Sequence, residues 1–500
     1  MGAGAFTAER LAMPDIVCNP IIDDVAAEAM QLNLCFLDGP GRARQVPFTF
    51  SPAPISAHTL GRMETVAPLL GRLTQTLAAR PELIRTVHAP LVAGDAFFAE
   101  MFAMHEQLHF GTSDPVRVPL LLQRSDFLPD QHKGARLVEC NSIAAGMAPF
   151  GEQAHQLHRY IRHRWPEEFA RYHTVSPGTL LPNPATAGMA TAITAAAGQI
   201  DRELAVGEAG PGFLMVVQEN EDNIFDQRLL ERQLQAQGLR TYRRTFRQLH
   251  QQLSSGPNQS LQLAGCGTIH VVYLRAGYQY RDYIATDLDT RQCCDAICAT
   301  RMFIERHRVA VNATVAQQLA TSKRMQLHLA DGGDLLLAEL GFAEGERELM
   351  LGTFAAMRPV DGNSAERLLA EGGCAEWVLK NQGEGGGHCL FDRDVLERLK
   401  SLHPDEYPAW LLMRRLRPAG RDEPTLVIRA GRAQRAERLV SEVGLFTAHL
   451  GTAALPAGEG AAGHIGYLVR SKPPDVTEGG VHSGFGALDS LFVETAPGIS

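Results

Sequence analysis

Glu376-Trp-Val-Leu-Lys-Asn-Gln-Gly-Glu-Gly-Gly-Gly-His-Cys-Leu-Phe391 decides how the rest of this 500-residue chain is read. Trp377, Val378 and Leu379 form a short β-prone run that ends in Lys380. The chain then breaks into a loop carrying Gly383, Gly385, Gly386 and Gly387. Glycine admits positive φ and close backbone approach, so amides of such a loop can turn onto phosphate oxygens. Lys380 adds a point charge for phosphates, and Glu384 an oxygen for a magnesium ion held between them. No G-K-[ST] follows and no G-x-G-x-x-G opens a helix, so neither familiar phosphate loop is present. A glycine run alone is more often a mobile turn than a nucleotide loop. The strand lysine and the glutamate inside the run favour the nucleotide.

Five hundred residues exceed what one hydrophobic core holds, so two or three lobes are expected. A net charge of -9 leaves no basic footprint for nucleic acid or anionic membrane. No apolar run is long enough to span a bilayer. The first residues lack a secretory pattern, and Gly2 lacks the serine or threonine that myristoylation requires, so a cytoplasmic protein is expected. Nine scattered cysteines fit reduced thiols. Cys293, Cys294 and Cys298 are the one cluster, with Cys294 and Cys298 a helical turn apart. No second Cys or His pair follows at zinc-finger spacing, so buried helix thiols are favoured over a metal.

Helical periodicity covers 23–35 and 60–108. A buried-strand run from Val118 ends at Arg124, a common position for anion binding. In Arg136-Leu-Val-Glu-Cys-Asn141, alternation puts Glu139 and Asn141 on one face, close enough to converge on one hard cation. The small-residue exit Ala144-Ala-Gly146 suits close approach by a substrate or another backbone. Phe213-Leu-Met-Val-Val217 and Ile269–Leu274 read as strands whose polar exits, with Glu221, Asn223 and Gln227 after the first and Arg275 after the second, open on one sheet edge. Helices are expected around 186–206, from Phe225, around 291–306 and over 312–329 with Lys323. A further helix is expected over 392–402 and a strand from Trp410 to Met413. Residues 451–463 read as mobile.

In this order and spacing, Glu139-Cys-Asn141, Asn223-Ile-Phe-Asp-Gln227, Arg243-Arg-Thr-Phe246, Arg275-x-Gly-Tyr278, Lys380-x-Gln-x-Glu-Gly-Gly-Gly387, Ser441-Glu-Val-Gly444 and Arg470-x-Lys472 resemble the eukaryotic-type glutathione synthetases over nearly the whole chain. The resemblance implies an α/β, multi-lobe ATP-grasp fold with an inserted α/β substrate lobe and a mobile lid. It also implies a homodimer and ATP-dependent joining of γ-glutamylcysteine to glycine. It divides the chain into an N-terminal body (1–210), a substrate lobe (211–315) and a C-terminal body (316–500) with a lid at about 350–437.

Carried over residue by residue, Glu139, Asn141 and Glu384 bind Mg2+. Glu139, Lys323, Lys380, Gln382, Gly385, Gly386, Gly387, Phe391, Met413, Leu416, Glu442, Lys472 and Glu478 hold ATP. Arg124, Ala144, Gly146, Glu221, Asn223, Gln227, Arg275, Gly277 and Tyr278 grip γ-glutamylcysteine, while Arg470, Val481 and His482 surround glycine. Arg124, Lys380 and Glu384 form the catalytic set. The sequence departs from the family where Ala144 and Gly146 replace serines, Ala276 an acidic residue, Cys389 an asparagine, Phe391 a tyrosine and Glu478 an aspartate. Arg414 stands where an acidic residue is usual, and His482 and Ser483 replace small residues beside the acceptor. The last change leaves β-alanine or serine as alternative acceptors, and a non-catalytic nucleotide- or dipeptide-binding relative as the other class.

Overall fold

The computed structural model describes residues 20–112, 115–130, 134–173, 177–205, 210–288, 293–383, 389–421, 423–455, 464–477, 479–482 and 485–494. Glu384, Gly385, Gly386, Gly387, Glu478, Ser483 and the 456–463 part of the Gly/Ala-rich stretch lie outside the described residues.

The Val118–Asp130 strand is the centre of a 14-stranded sheet. Its first residues pair in parallel with Ala310–Asn312, and Leu120 to Phe127 pair antiparallel with Leu439–Leu450. Beyond Ala310–Asn312 the sheet is a parallel α/β array of Val271–Leu274, Gly212–Val216 and Arg240–Arg244. Beyond Leu439–Leu450 it continues as His464–Lys472, Ala487–Asp489, Phe48–Thr49 and the Thr425–Ala436 hairpin. The parallel array is therefore hydrogen-bonded into the main sheet through one strand.

The strand was expected to end at Arg124, where apolar residues give way to Arg124, Ser125 and Asp126. It continues six residues further, because those polar side chains are buried and satisfied there. The turn after Asp130 returns as Gly134–Asn141, with Arg124 facing Asn141 and Asp126 facing Glu139.

The Ala57–Ala78 helix covers this region. Ser56 caps it by accepting from Thr59 N at 3.1 Å, and Leu60, Met63, Val66, Ala67, Leu70, Leu73 and Leu77 bury one face at three- and four-residue spacing. The expected 312–329 helix is two helices, Val315–Ala320 and Lys323–Ala330. The break is at Ser322, whose hydroxyl accepts from Met325 N and starts a second helix with Lys323 in its first turn.

A separate four-stranded sheet, in the order Met357–Pro359, Trp410–Arg414, Trp377–Asn381 and Cys389–Leu390, has its own core of Val360, Leu368, Trp377, Leu379, Val395, Leu399 and Leu412. It occupies most of the expected lid range, whose last part, the Thr425–Ala436 hairpin, belongs to the main sheet. Among the described residues no helix is long and apolar enough to cross a membrane.

Candidate functional site

Lys380 sits on the Trp377–Asn381 strand opposite Leu411 and is buried. Lys323 reaches across from its helix, donating to Gly383 O at 2.8 Å and lying 3.7 Å from Glu139 Oε2. It thus joins the start of the glycine loop to the Glu139–Asn141 face. Burial opposes ionisation of Glu139, but Lys323, Lys380, Arg470 and Arg124 outweigh it and hold the carboxyl at about 2. Gln382 is tied on both sides, accepting from Arg324 N at 2.9 Å and donating to Ala409 O at 3.4 Å. Its amide fixes where the loop leaves the sheet.

Met413 is buried on the Trp410–Arg414 strand, and Leu416 is half-buried beyond it. Arg414, in the usually acidic position, donates backbone N–H to Ala356 O and pairs its guanidinium with Glu376 at 2.9 Å. Its charge is taken up within this small sheet. Phe391 precedes the Asp392–Ser401 helix, with Arg415 over its ring at 5.4 Å.

On the main sheet, Arg124 donates Nε and Nη2 to the two oxygens of Asp126 at 2.6 and 2.8 Å, and Nη1 to Gly146 O at 3.1 Å. Asp126 Oδ2 also accepts from Asn141 Nδ2 at 3.0 Å and Arg470 Nη2 at 3.1 Å. Arg470 pairs in turn with Glu442, its cross-strand neighbour. Burial works against the Arg470 charge, but Glu442, Asp126 and Glu139 push its pKa above the usual guanidinium range. The cluster passes beside Gly444, where a Cβ would lie 2.5 Å from Asp126 Oδ1 and 2.7 Å from Arg124 Cδ. Only glycine leaves room for the pair.

At the ends of the two parallel strands, Arg275 is held by its N–H on Val216 O at 2.7 Å and by Nη1 on Asp226 Oδ2 at 3.1 Å. Buried Asp226 also caps the Ala148–Arg164 helix, accepting from Met147 N and Phe150 N. The guanidinium lies over Gly146, where a Cβ would stand 2.4 Å from Arg275 Nη2. Arg124 and Arg275 therefore meet at the Ala144–Gly146 segment, and a serine at Gly146 would collide with Arg275.

Glu221 accepts from Asn223 N at 3.1 Å and Gln227 Nε2 at 2.6 Å, and Gln227 is held from behind by Arg243. Asn223 is buried, and among the described residues its Oδ1 has no hydrogen-bond partner. Such a group in a polar site is suited to a donor on a ligand. Gly277, at φ 98°, and Tyr278 give their N–H groups to Asp282 at 2.8 and 3.2 Å, while Gly277 O accepts from Arg301 and Gln318. Burial pushes the Tyr278 hydroxyl pKa up.

At the expected acceptor position Val481 is buried, and the His482 ring stacks on Phe36 at 4.2 Å with Nδ1 3.3 Å from Asp222 Oδ2. Lys472, on the same strand as Arg470, donates to Thr477 O at 2.7 Å.

Asp126 and Asp226 were not singled out from sequence. Asp126 has a signal, since Arg124-Ser-Asp126 puts opposite charges on one strand face, whereas Asp226, an acid in the first turn of its helix, carries none.

A family model for the ATP-binding domain of eukaryotic glutathione synthase matches residues 30–493. The chain belongs to that family. Membership makes it an ATP-dependent ligase. It is 28% identical to the glutathione synthetase of Homo sapiens, covering 89% of this chain and 90% of that protein. It is 25% identical to the glutathione synthetase large chain of Schizosaccharomyces pombe, over 91% and 92%. A solved glutathione synthetase-like effector from Globodera pallida, in its apo form, superposes with a TM-score of 0.68 at 18% identity over 97% of this chain and 100% of that one, a likeness of fold.

Proposed function

We propose that this member of the glutathione synthase family joins γ-glutamylcysteine to glycine with ATP and Mg2+, as a cytoplasmic homodimer. The observation that carries this reading is that Lys323, 3.7 Å from Glu139 and bonded to Gly383 O, ties the start of the glycine loop to the strand face beside the Arg124–Asp126–Arg470 cluster. Lysines and arginines on both sides of that face suit anionic substrates, although Asp126, Glu139 and Glu442 already pair with several of them.

A carboxylate is a poor electrophile, so the γ-phosphoryl group of ATP is first transferred to the dipeptide carboxylate, giving ADP and an acyl phosphate. Such transfer is catalysed mainly by positioning and neutralising oxygens. Lys323 and Lys380 would hold phosphates, and Gln382 would anchor the loop that follows it. Glu139 and Asn141 offer one carboxylate and one amide oxygen on a shared face, a hard-oxygen donor set that fits magnesium. Held by Glu139 and Asn141, magnesium would supply positive charge against the phosphate oxygens. Glu384 and the glycines after it are proposed to complete that site.

The amine of glycine then attacks the acyl carbon and phosphate leaves. Arg124, held by Asp126, would stabilise the oxyanion formed in between. Arg275 and Asn223 would hold the γ-glutamyl group, with Glu221 and Tyr278 beside them, and Arg470 the glycine carboxylate. The test is product analysis with ATP, γ-glutamylcysteine and glycine. One tripeptide, one ADP and one phosphate per turnover are expected, and phosphate release without tripeptide would overturn the reading.

A further inference from the structure

Away from this site, the Ala96–His109 and Asp295–Glu305 helices bring three acidic groups together. Cys293 precedes the second helix, Cys294 is its N-cap and Cys298 lies in its first turns. The sulfurs of Cys293 and Cys298 are 3.5 Å apart. Glu100, on the other helix, places a carboxylate oxygen so that all three ligand atoms lie within 4.8 Å of one another. Both thiols are buried and Glu100 is partly so.

The spacing favours a metal over a disulfide. Two thiolates on a tetrahedral zinc, each about 2.3 Å from the metal, stand about 3.8 Å apart. The observed separation is within a few tenths of an ångström of that, whereas a disulfide needs the sulfurs at about 2.0 Å. The Glu100 oxygen reaches a shared ion by a side-chain rotation. Two sulfurs and one oxygen select a thiophilic cation and discriminate against magnesium or calcium. Cys-x4-Cys alone carries no such signal. The third donor is nearly two hundred residues away, so the set exists only in the fold.

We propose that Glu100, Cys293 and Cys298 bind a zinc ion, with water completing its shell. The ion would fasten the two helices where they support the substrate loop. Arg301 on the second helix contacts Met101 Sδ at 3.8 Å, next to Glu100, and donates to Gly277 O at 3.0 Å. Cys294 N donates to Tyr283 O at 2.8 Å. The site is distinct from the magnesium face and is structural.

The experiment loads the full chain with Co2+ as a spectroscopic probe and measures zinc content after dialysis against micromolar free zinc. Wild type is expected to retain one zinc per chain and, with cobalt, to show thiolate charge-transfer and tetrahedral visible bands. Cys293→Ser/Cys298→Ser should lose the bands and that zinc, and Glu100→Gln should weaken binding at least about tenfold, since losing even a group that only orients a ligand costs that much. To separate metal loss from misfolding of the double variant, thiols of the wild type are also titrated with and without zinc. Protection of two thiols by zinc supports the site. Wild type without zinc and without cobalt bands, equal zinc in the double variant, or two thiols already lost to a disulfide would each overturn it.

Discussion

Asp126 receives two hydrogen bonds from Arg124, at 2.6 and 2.8 Å, from a position two residues along the same strand. The strand period puts both on one face, and Arg470 and Asn141 share the same carboxylate. Asp126 is fully buried, so its charge is balanced by guanidinium groups and not by water. Replacing Asp126 by alanine leaves two buried or partly buried cations short of a partner. An unfolding free energy lower by about 3–5 kcal/mol is expected, read from urea titration. Asp126→Asn keeps the shape but removes the charge and turns one acceptor into a donor facing only donors, so it should lose comparable stability, with kcat depressed because Arg124 is no longer held by charge. Wild-type kcat in Asp126→Asn would remove the positioning role.

Histidine burial makes the fold sensitive to acid. Desolvation lowers His88, His155, His173 and His449 to about 4 and His109 to about 3, from 6.5. These groups are neutral in the fold and protonated in the unfolded chain below 6.5. The unfolded chain therefore takes up more protons as pH falls, and stability present above 6.5 is lost toward pH 4. His88 is the informative case. Its Nδ1 is 2.8 Å from Ile84 O, so it donates there, and Nε2 accepts from Ser322, the cap in front of Lys323. His88→Gln should flatten the urea-midpoint profile between about pH 6.5 and 4, by on the order of 3 kcal/mol at the acid end. A profile parallel to wild type would show that His88 is not among the responsible groups.

Arg275 and Gly146 make a paired prediction. Arg275→Ala should raise the Michaelis constant for γ-glutamylcysteine by a loss of about 2–5 kcal/mol, leaving that for ATP nearly unchanged. It also strips buried Asp226 of its cation, so a fall in melting temperature accompanies it. Gly146→Ser places a Cβ within 2.4 Å of the Arg275 guanidinium and should shift the same constant in the same direction with a smaller stability loss. Equal effects on ATP would make both residues structural.

The elements that position this site were largely legible in the sequence. The Trp377–Asn381 strand, the Glu139–Asn141 face and the exits of Gly212–Val216 and Val271–Leu274 follow from runs of apolar residues and their breaks. Polar residues inside strands were not legible. Arg124 looked like a strand end because burial of Ser125 and Asp126 depends on Asn141, Arg470 and Gly444, which local pattern cannot reveal. Arg240–Arg244 is a sheet strand whose polar composition hid it for the same reason. Asp226 was hidden because its partners, Met147, Phe150 and Arg275, come from two distant segments. The break at Ser322 was readable as a cap, yet the apolar spacing runs through it.

The acceptor preference turns on His482. The sequence allowed its ring to point away from the acceptor or toward it, where it would offer a hydrogen bond to a serine hydroxyl. Its ring rests on Phe36 and its Nδ1 faces Asp222, so the side chain is already engaged, while Val481 is buried against the core. With the ring so held, the proposed acceptor pocket would be bounded by the backbone at Val481 and His482, where a bare Cα is expected to fit best. Glycine should exceed β-alanine in kcat/KM by at least about tenfold, the discrimination one methylene commonly produces. His482→Ala should preserve that order, because the ring supplies no acceptor contact. The measurement is catalytic efficiency with glycine, β-alanine and serine for both proteins. Glycine ranking second in the wild type would overturn the assignment, and a rise in serine discrimination by His482 over His482→Ala would show that the ring reaches the acceptor.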